Sequence, residues 1–175
     1  MLSRQVITYA SLLKQGLNET EIKNLSAGLK LFPTPFKGIY YVPGEEERRG
    51  KFIDNPGRTL YRAAKLYLNS DDYYFSCRTA EEHYAIKWQP IGHVHIVNEK
   101  ISKTIDLKKR IEQNRKKTTW RAKNTAVILS LYGNKIIFHK VKSIEGAKFK
   151  RTPYGAYALR SQIRKDKKRF REKMD

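Results

Sequence analysis

The residues best suited to chemistry in this sequence are lysines and arginines that surround a tryptophan. Trp120 lies among eight cationic side chains: Lys108, Lys109, Arg110, Arg115, Lys116, Lys117, Arg121 and Lys123. Cations neutralise backbone phosphates, and an exposed indole ring offers a face on which a base can stack. The pattern predicts a nucleic-acid-binding surface and is typical of proteins that bind single strands or RNA. The structural alternative is a tryptophan that covers the edge of a β-hairpin.

The positive charge is concentrated in the second part of the chain. The formal net charge is +20, of which residues 1–99 carry about +2 and residues 100–175 carry +18. A charge of this size on 175 residues indicates a polyanionic partner. The alternative is a well-solvated, lysine-rich surface of the kind found in thermophilic proteins.

The histidines and the lone cysteine do not form a recognisable metal motif. His93 and His95 are two residues apart on a predicted strand and face the same side, but no CxxC or HxxxH companion follows. Cys77 and His83 match no ligand spacing either, and His93 and His95 are expected on the polar face of their strand. We therefore predict no metal ion and no cofactor.

Acidic pairs offer one enzymatic alternative, a metal-dependent nuclease. Asp71-Asp72, Glu81-Glu82 and His83 supply the types of side chain that hold Mg²⁺ near a phosphodiester. However, the first pair is expected in a turn and the second on the exposed side of a helix. The chain also has no glycine-rich phosphate loop and no nucleophile elbow. The sequence therefore favours a protein that is not an enzyme.

Composition places the chain among soluble proteins. A single cysteine excludes an intramolecular disulfide framework, and no apolar run approaches the roughly 20 residues that span a bilayer. The N-terminus has no signal-peptide pattern. The expected location is the cytoplasm, with no membrane partner.

The first 42 residues predict two short helices and a hairpin. Thr8 is expected to cap the first helix, and Gly16 to end it. Asn18 and Glu21 have the spacing of a capping box, and the second helix should end at Gly28. Residues 29–32 and 37–42 then predict two strands, and residues 44–49 a solvated linker. The whole segment is a helix-turn-helix candidate with a wing.

The rest of the chain predicts a mixed α/β domain. Helices are expected from Asn55-Pro56 to Leu68 and over 78–86, and strands over 73–76, 93–97 and 101–105. Residues 126–131 and 135–141 are β-like, and Tyr132-Gly133-Asn134 between them predicts a hairpin. Residues 107–111 and 154–163 fit more than one element, and residues 164–173 predict a basic terminal helix or a frayed end.

Small patterns over residues 6–105 resemble the AbiEi-like antitoxins of type IV toxin–antitoxin systems. In the first segment they are Gly28-Leu29 and Gly38-Ile39-Tyr40. In the next they are Tyr73-Tyr74-Phe75-Ser76, Thr79-Ala80 and Gln89-Pro90-Ile91, followed by the strand 93–97. The resemblance implies a DNA-binding autoregulator that counteracts a nucleotidyltransferase-like toxin. The last 70 residues carry none of these patterns.

The predicted fold class is α+β, with a winged helix-turn-helix at 1–43, an α/β domain at 51–163 and a basic C-terminal tail at 164–175. A helix-turn-helix reads base edges from exposed positions of its second helix, here Thr20, Lys23 and Asn24. Lys30 and Lys37 in the wing would meet phosphates. The leading prediction is a DNA-binding regulator of antitoxin type, with duplex DNA and a cognate toxin as partners; the main alternative is an RNA-binding or ribonucleoprotein-associated protein.

Overall fold

The computed structural model describes residues 2–86 and 92–171 and is a mixed α+β structure. Over those residues the chain forms eight helices and two sheets. It folds into two compact units, the first made of Met1–Asn69 and Leu107–Tyr132, and the second of Ser70–Asp106 and Gly133–Asp175. The units therefore interleave along the chain, whereas the sequence was divided into the consecutive segments 1–43, 51–163 and 164–175.

The described residues form nine strands and eight helices. In chain order they are β1 Gln5–Thr8, α1 Tyr9–Lys14, α2 Glu19–Ala27, β2 Phe32–Pro33, β3 Ile39–Val42, α3 Glu45–Gly50, α4 Pro56–Leu68, β4 Tyr73–Phe75, α5 Cys77–His83, β5 His93–Asn98, β6 Lys103–Asp106, α6 Leu107–Arg115, α7 Trp120–Ser130, β7 Lys135–Lys140, β8 Phe149–Thr152, β9 Gly155–Ala158 and α8 Arg160–Arg169. None of these helices has the length and apolar character needed to cross a bilayer.

Local capping signals set the start of the first unit. The Thr8 hydroxyl accepts from the Ser11 backbone N–H at 3.1 Å and caps α1. Asn18 and Glu21 form the predicted reciprocal capping box at the start of α2, with distances of 2.9 and 2.7 Å. Gly28 follows the last residue of α2, as expected. These caps orient α1 and α2 so that Leu12 and Ile22 enter the core.

The sheet of the first unit has three strands in the order β1-β3-β2, all antiparallel. Strands were predicted for residues 29–32 and 37–42; β2 covers only Phe32–Pro33, and β3 covers Ile39–Val42. β1 was not predicted. It supplies Ile7 to a buried cluster that also contains Leu12, Ile22, Leu31 and Val42.

Residues 44–49 are not a solvated linker. They enter α3, and the side chain of Glu47 is fully buried. Its carboxylate accepts hydrogen bonds from the Tyr41 hydroxyl and from the backbone N–H groups of Gly44 and Asp54. The run of charge hid this role because Glu45 and Glu46, its neighbours, are exposed as expected.

The hairpin predicted for residues 126–141 is wrong. Residues 126–130 belong to α7, which Thr119 caps, and only the second half forms a strand, β7. Ala122, Ala126 and Leu129 recur at helical spacing and are buried where α7 packs against α6 and β2. Tertiary packing thus overrides the β-like composition. Gly133 does not close a hairpin. It has a φ of +106° and is the first residue of the segment with which the chain re-enters the second unit.

The second unit is built on a six-stranded mixed sheet with the order β6-β7-β5-β4-β9-β8. The pairs β5/β7 and β4/β9 are parallel, and the remaining pairs are antiparallel. α5 and α8 pack against each other and against β9. His95 is fully buried on this sheet, so the prediction that it lies on a polar face is wrong.

Candidate functional site

The predicted nucleic-acid contacts all fall in the first unit. Five come from residues 20–37 and nine from residues 108–123, two segments far apart in sequence. The first unit contains 19 Lys and Arg against 7 Asp and Glu, a net charge of +12, and the second unit 18 against 10, or +8. Folding therefore places a strongly basic segment in the same unit as the nearly neutral N-terminal one.

The exposed face of α2 carries the three residues expected to read bases. Thr20, Lys23 and Asn24 are all exposed, while Ile22 between them is 2% exposed. The positions i, i+3 and i+4 share one side of a helix. Lys23 pairs with Glu19 at 2.7 Å, and this hydrogen bond lowers the pKa of Glu19 below its usual value. Part of the Lys23 charge is therefore already compensated on the same face.

The connection between β2 and β3 is held rigidly. The Thr34 hydroxyl is buried, donates to the Ile39 carbonyl at 2.8 Å and accepts from the Phe36 N–H at 3.2 Å. Lys37 lies at the exposed end of this turn, and Lys30 is exposed ahead of β2. Both lysine side chains are therefore accessible from solvent.

Arg110 differs from its two neighbours in the basic run. Its Nη1 donates to the Pro35 carbonyl at 2.7 Å, which ties α6 to the β2–β3 turn. The side chain is half-buried, and burial lowers the pKa of its guanidinium. Lys108 and Lys109 are exposed. Arg110 therefore has a packing role that the charge pattern alone did not reveal.

The turn between α6 and α7 is an exposed cationic part of the unit. Arg115, Lys116 and Lys117 are exposed there, and Arg121 and Lys123 are exposed on the first turns of α7. A pocket of about 360 Å³ adjoins this turn and is lined by Asn114, Lys117, Thr119, Arg121, Ala122 and Thr125. The start of α7 adds backbone N–H groups, which favour anions.

Trp120 stands at the start of α7 with 65% of its surface exposed. It covers no hairpin, so the structural alternative from the sequence is wrong for this residue. The Lys51 ammonium lies 4.2 Å from the ring centroid on one face. An exposed ring next to Arg121 is an arrangement on which a base can stack.

The acidic residues considered as nuclease ligands do not converge. Asp71 and Asp72 are exposed before β4, whereas Glu81 is buried and its Oε1 lies 2.7 Å from Lys167 Nζ. The His83 ring stacks on Tyr157 at 3.7 Å between centroids. Among the residues that the structure describes, no three of these side chains form a group suited to a metal ion.

The second unit contains a buried polar network around Asp166. The Asp166 carboxylate accepts from Ser76 Oγ at 2.6 Å, from the Tyr74 hydroxyl at 3.1 Å and from Gln162 Nε2 at 2.9 Å. Asp166 belongs to α8, which was predicted only as a basic or frayed end. The network ties this helix to the end of β4. The cations of α8 are exposed except for Lys167, which is partly buried and pairs with Glu81.

Next to this network lies a cluster that spacing in the sequence did not indicate. Cys77, His95 and His139 each offer a ligand atom, and these atoms lie within 4.8 Å of one another. His95 Nδ1 and His139 Nε2 are 2.9 Å apart. The three residues are separated by 18 and 44 positions, so only the pairing of β5 with β7 and the start of α5 bring them together.

The patterns behind the antitoxin resemblance fall on several elements. Gly28-Leu29 follow α2, Gly38-Ile39-Tyr40 enter β3, and Tyr73-Tyr74-Phe75-Ser76 cover β4 and the next residue. Gln89-Pro90-Ile91 lie outside the described residues. The chain matches no protein-family model, and comparisons with curated proteins and with solved structures find no significant similarity. Function is therefore argued from the residues themselves.

Proposed function

We propose that the protein binds nucleic acid through its first unit and acts as a DNA-binding transcriptional regulator of antitoxin type rather than as an enzyme. The observation that carries this proposal is the grouping of all predicted contact residues in one compact unit with a net charge of +12. Each lysine or arginine placed on a phosphate releases counterions and strengthens binding.

The order of elements supports duplex DNA as the partner. β1, α1, α2, β2 and β3 follow one another with the sheet order β1-β3-β2, and this arrangement is compatible with a winged helix-turn-helix. In such a protein the exposed face of α2 enters the major groove, where Thr20, Lys23 and Asn24 would meet base edges. Lys37 at the end of the wing would meet the backbone.

RNA is the second candidate, and the exposure of Trp120 favours it. Stacking on an aromatic ring requires unpaired bases, which structured RNA offers in loops and bulges. Trp120 then acts together with Lys116, Lys117 and Arg121 as one single-strand surface. On duplex DNA, by contrast, stacked bases leave the ring with little to contact, so the two polymers predict different effects of Trp120→Ala.

Binding titrations at several salt concentrations test the proposal. Labelled duplex from upstream of the gene, an unrelated duplex and a structured RNA are titrated with the full chain. We expect the tightest binding to the upstream duplex, and a log K against log salt slope of about −0.9 for each phosphate contact. Equal affinity for both duplexes, with tighter binding of RNA, would refute the regulator proposal.

Matched variants locate the surface. Lys116→Ala with Lys117→Ala should weaken binding and reduce the salt slope by about 2, because two phosphate contacts are lost. The same number of charges removed from α8, by Lys165→Ala with Lys168→Ala, should have a smaller effect. An equal or larger loss from the α8 pair would contradict binding through the first unit.

A second pair of variants compares how much α6 contributes to binding with how much α2 and the β2–β3 turn contribute. The sequence predicts that neutralising Lys108, Lys109 and Arg110 weakens binding more than neutralising Lys23 and Lys37. Arg110 should be left in place, because its loss would also remove the hydrogen bond to Pro35. Lys108→Ala with Lys109→Ala against Lys23→Ala with Lys37→Ala compares equal charge changes, and a larger loss from the second pair would show that α2 and the wing dominate.

The antitoxin part of the proposal is tested by gene order and co-expression. A nucleotidyltransferase-like gene directly downstream is the expected neighbour, and expression of its product alone should arrest growth that this protein restores. A neighbour of that class whose toxicity is unchanged by this protein would refute the antitoxin role while leaving DNA binding intact.

A further inference from the structure

Three side chains that bind soft metals converge in the second unit. Cys77 is the first residue of α5, His95 lies in the middle of β5 and His139 lies in β7. β5 and β7 are parallel, and His139 pairs with Val97, two residues after His95, so both imidazoles lie on one face of the sheet. The exposed fractions of the three residues are 0%, 0% and 1%.

One buried nitrogen of His95 has no hydrogen-bond partner. His95 Nδ1 faces His139 Nε2, but His95 Nε2 is buried with no hydrogen-bond partner. Buried polar atoms are nearly always satisfied, so this unpartnered nitrogen sets the cluster apart from ordinary core packing.

We propose that Cys77, His95 and His139 bind one divalent ion of the zinc class. A thiolate with two imidazoles is a ligand set that zinc prefers, whereas magnesium and calcium require oxygen ligands. His95 Nδ1 and His139 Nε2 are 2.9 Å apart, whereas two nitrogens on one tetrahedral zinc ion are about 3.3 Å apart, so the two rings must separate slightly to admit the ion. Three protein ligands leave one tetrahedral position for water.

Binding follows a simple proton balance. The S–H bond of Cys77 is replaced by a bond from sulfur to the ion, and the proton is released to solvent. Each imidazole stays neutral and offers one nitrogen lone pair, so the N–H between the rings moves to a nitrogen that does not bind the ion. The rings are coplanar to within 1°, with their nitrogens pointing at each other, so they must turn out of this plane to bind.

The positive charge that remains after the ion binds has a carboxylate, Asp166, nearby. An ion of charge +2 bound to one thiolate keeps a net charge of +1. The Asp166 carboxylate accepts a hydrogen bond from the hydroxyl of Ser76, the residue before Cys77. A buried carboxylate that accepts from three donors is therefore available near the site as a counter-charge.

Cobalt binding by the full chain tests the site. Protein without an affinity tag is stripped with a chelator, dialysed and titrated with Co²⁺ alone. We expect one equivalent to bind, with visible bands of a tetrahedral ion and a near-ultraviolet band from thiolate to cobalt, and Zn²⁺ should abolish both. Cys77→Ser should remove the near-ultraviolet band. His139→Gln should weaken Co²⁺ binding by more than the about 10–100-fold typical of outer-shell substitutions.

His93→Gln is the matched control, because His93 lies on β5 two residues before His95 but is not part of the cluster. This variant should bind Co²⁺ like the wild type. Circular dichroism of the chelator-treated variants verifies folding, and should His139→Gln fail to fold, Cys77→Ser and His95→Gln test the same ligands. A wild type without a thiolate band, or equal losses in His93→Gln and His139→Gln, would overturn the proposal.

Discussion

Replacing Glu47 by alanine should remove a large part of the stability of the first unit. The fully buried carboxylate accepts from the Tyr41 hydroxyl at 2.9 Å, the Gly44 N–H at 2.7 Å and the Asp54 N–H at 2.9 Å. Alanine leaves the buried Tyr41 hydroxyl and the partly buried N–H groups of Gly44 and Asp54 without this acceptor, and an orphaned buried donor costs about 1–3 kcal/mol. Relief of the buried charge offsets part of the sum, so we expect a loss of about 3–5 kcal/mol.

Urea unfolding followed by circular dichroism measures this loss, and hydrogen exchange of β3 assigns it to the first unit. Glu46→Ala is the matched control, because Glu46 is the exposed neighbour on the same helix and its loss should change the free energy of unfolding by less than about 0.5 kcal/mol. Glu47→Gln keeps an acceptor oxygen and should fall between the two. A Glu47→Ala protein within about 1 kcal/mol of Glu46→Ala would refute this role for the carboxylate.

Three further predictions concern the caps, the core and the buried tyrosines. Asn18→Ala should cost about 1 kcal/mol in urea unfolding, and an unchanged midpoint would contradict the capping box at α2. Leu129→Ala should cost about 2–5 kcal/mol because the side chain is fully buried in α7, and a loss below about 1 kcal/mol would show that the site collapses. Burial raises the pKa values of Tyr41, Tyr74 and Tyr132, so their phenols stay protonated when the unfolded chain ionises; stability should fall as pH rises above about 10. If the absorbance of tyrosinate showed that all three tyrosines ionise while the protein is still folded, this prediction would be contradicted.

Elements with strong local signals could be predicted from the sequence. Thr8, the pair Asn18 and Glu21, and Asn55 before Pro56 each start a helix where the residue types indicate one. Alternating residues likewise located β5. In each case the interactions that determine the element join residues only a few positions apart, so a short stretch of sequence is enough to predict it.

Elements that depend on distant partners could not be predicted in the same way. The run Ala126-Val127-Ile128-Leu129 is as apolar and β-branched as a strand, and it is helical because α6 and β2 cover its buried side. β1 has only four residues and is stabilised by pairing with β3, more than 30 positions later. Glu47 differs from these cases, because its partners Tyr41 and Asp54 are only six and seven positions away; the charged run around it predicts a solvated segment and contains no sign that its carboxylate is buried.

The two candidate sites also depend on contacts between residues that are far apart in the sequence. The residue types of the basic surface are visible in the sequence, but the hydrogen bond from Arg110 to Pro35 spans 75 positions and separates this arginine from its neighbours. The cluster of Cys77, His95 and His139 has no signature at all, because a parallel pairing of strands, not a short motif, determines which ligands meet.

The folded charge distribution changes how the two halves of the chain can share one function. Along the sequence, the segment with a helix-turn-helix pattern is nearly neutral and the basic segment has no such pattern. In the first unit both occur together, because α6 and α7 are part of it. Base contacts specify a site and phosphate contacts supply affinity, so one unit holds candidates for both roles. If α2 reads the bases, residues 107–132 supply the phosphate contacts that a nearly neutral segment could not provide alone.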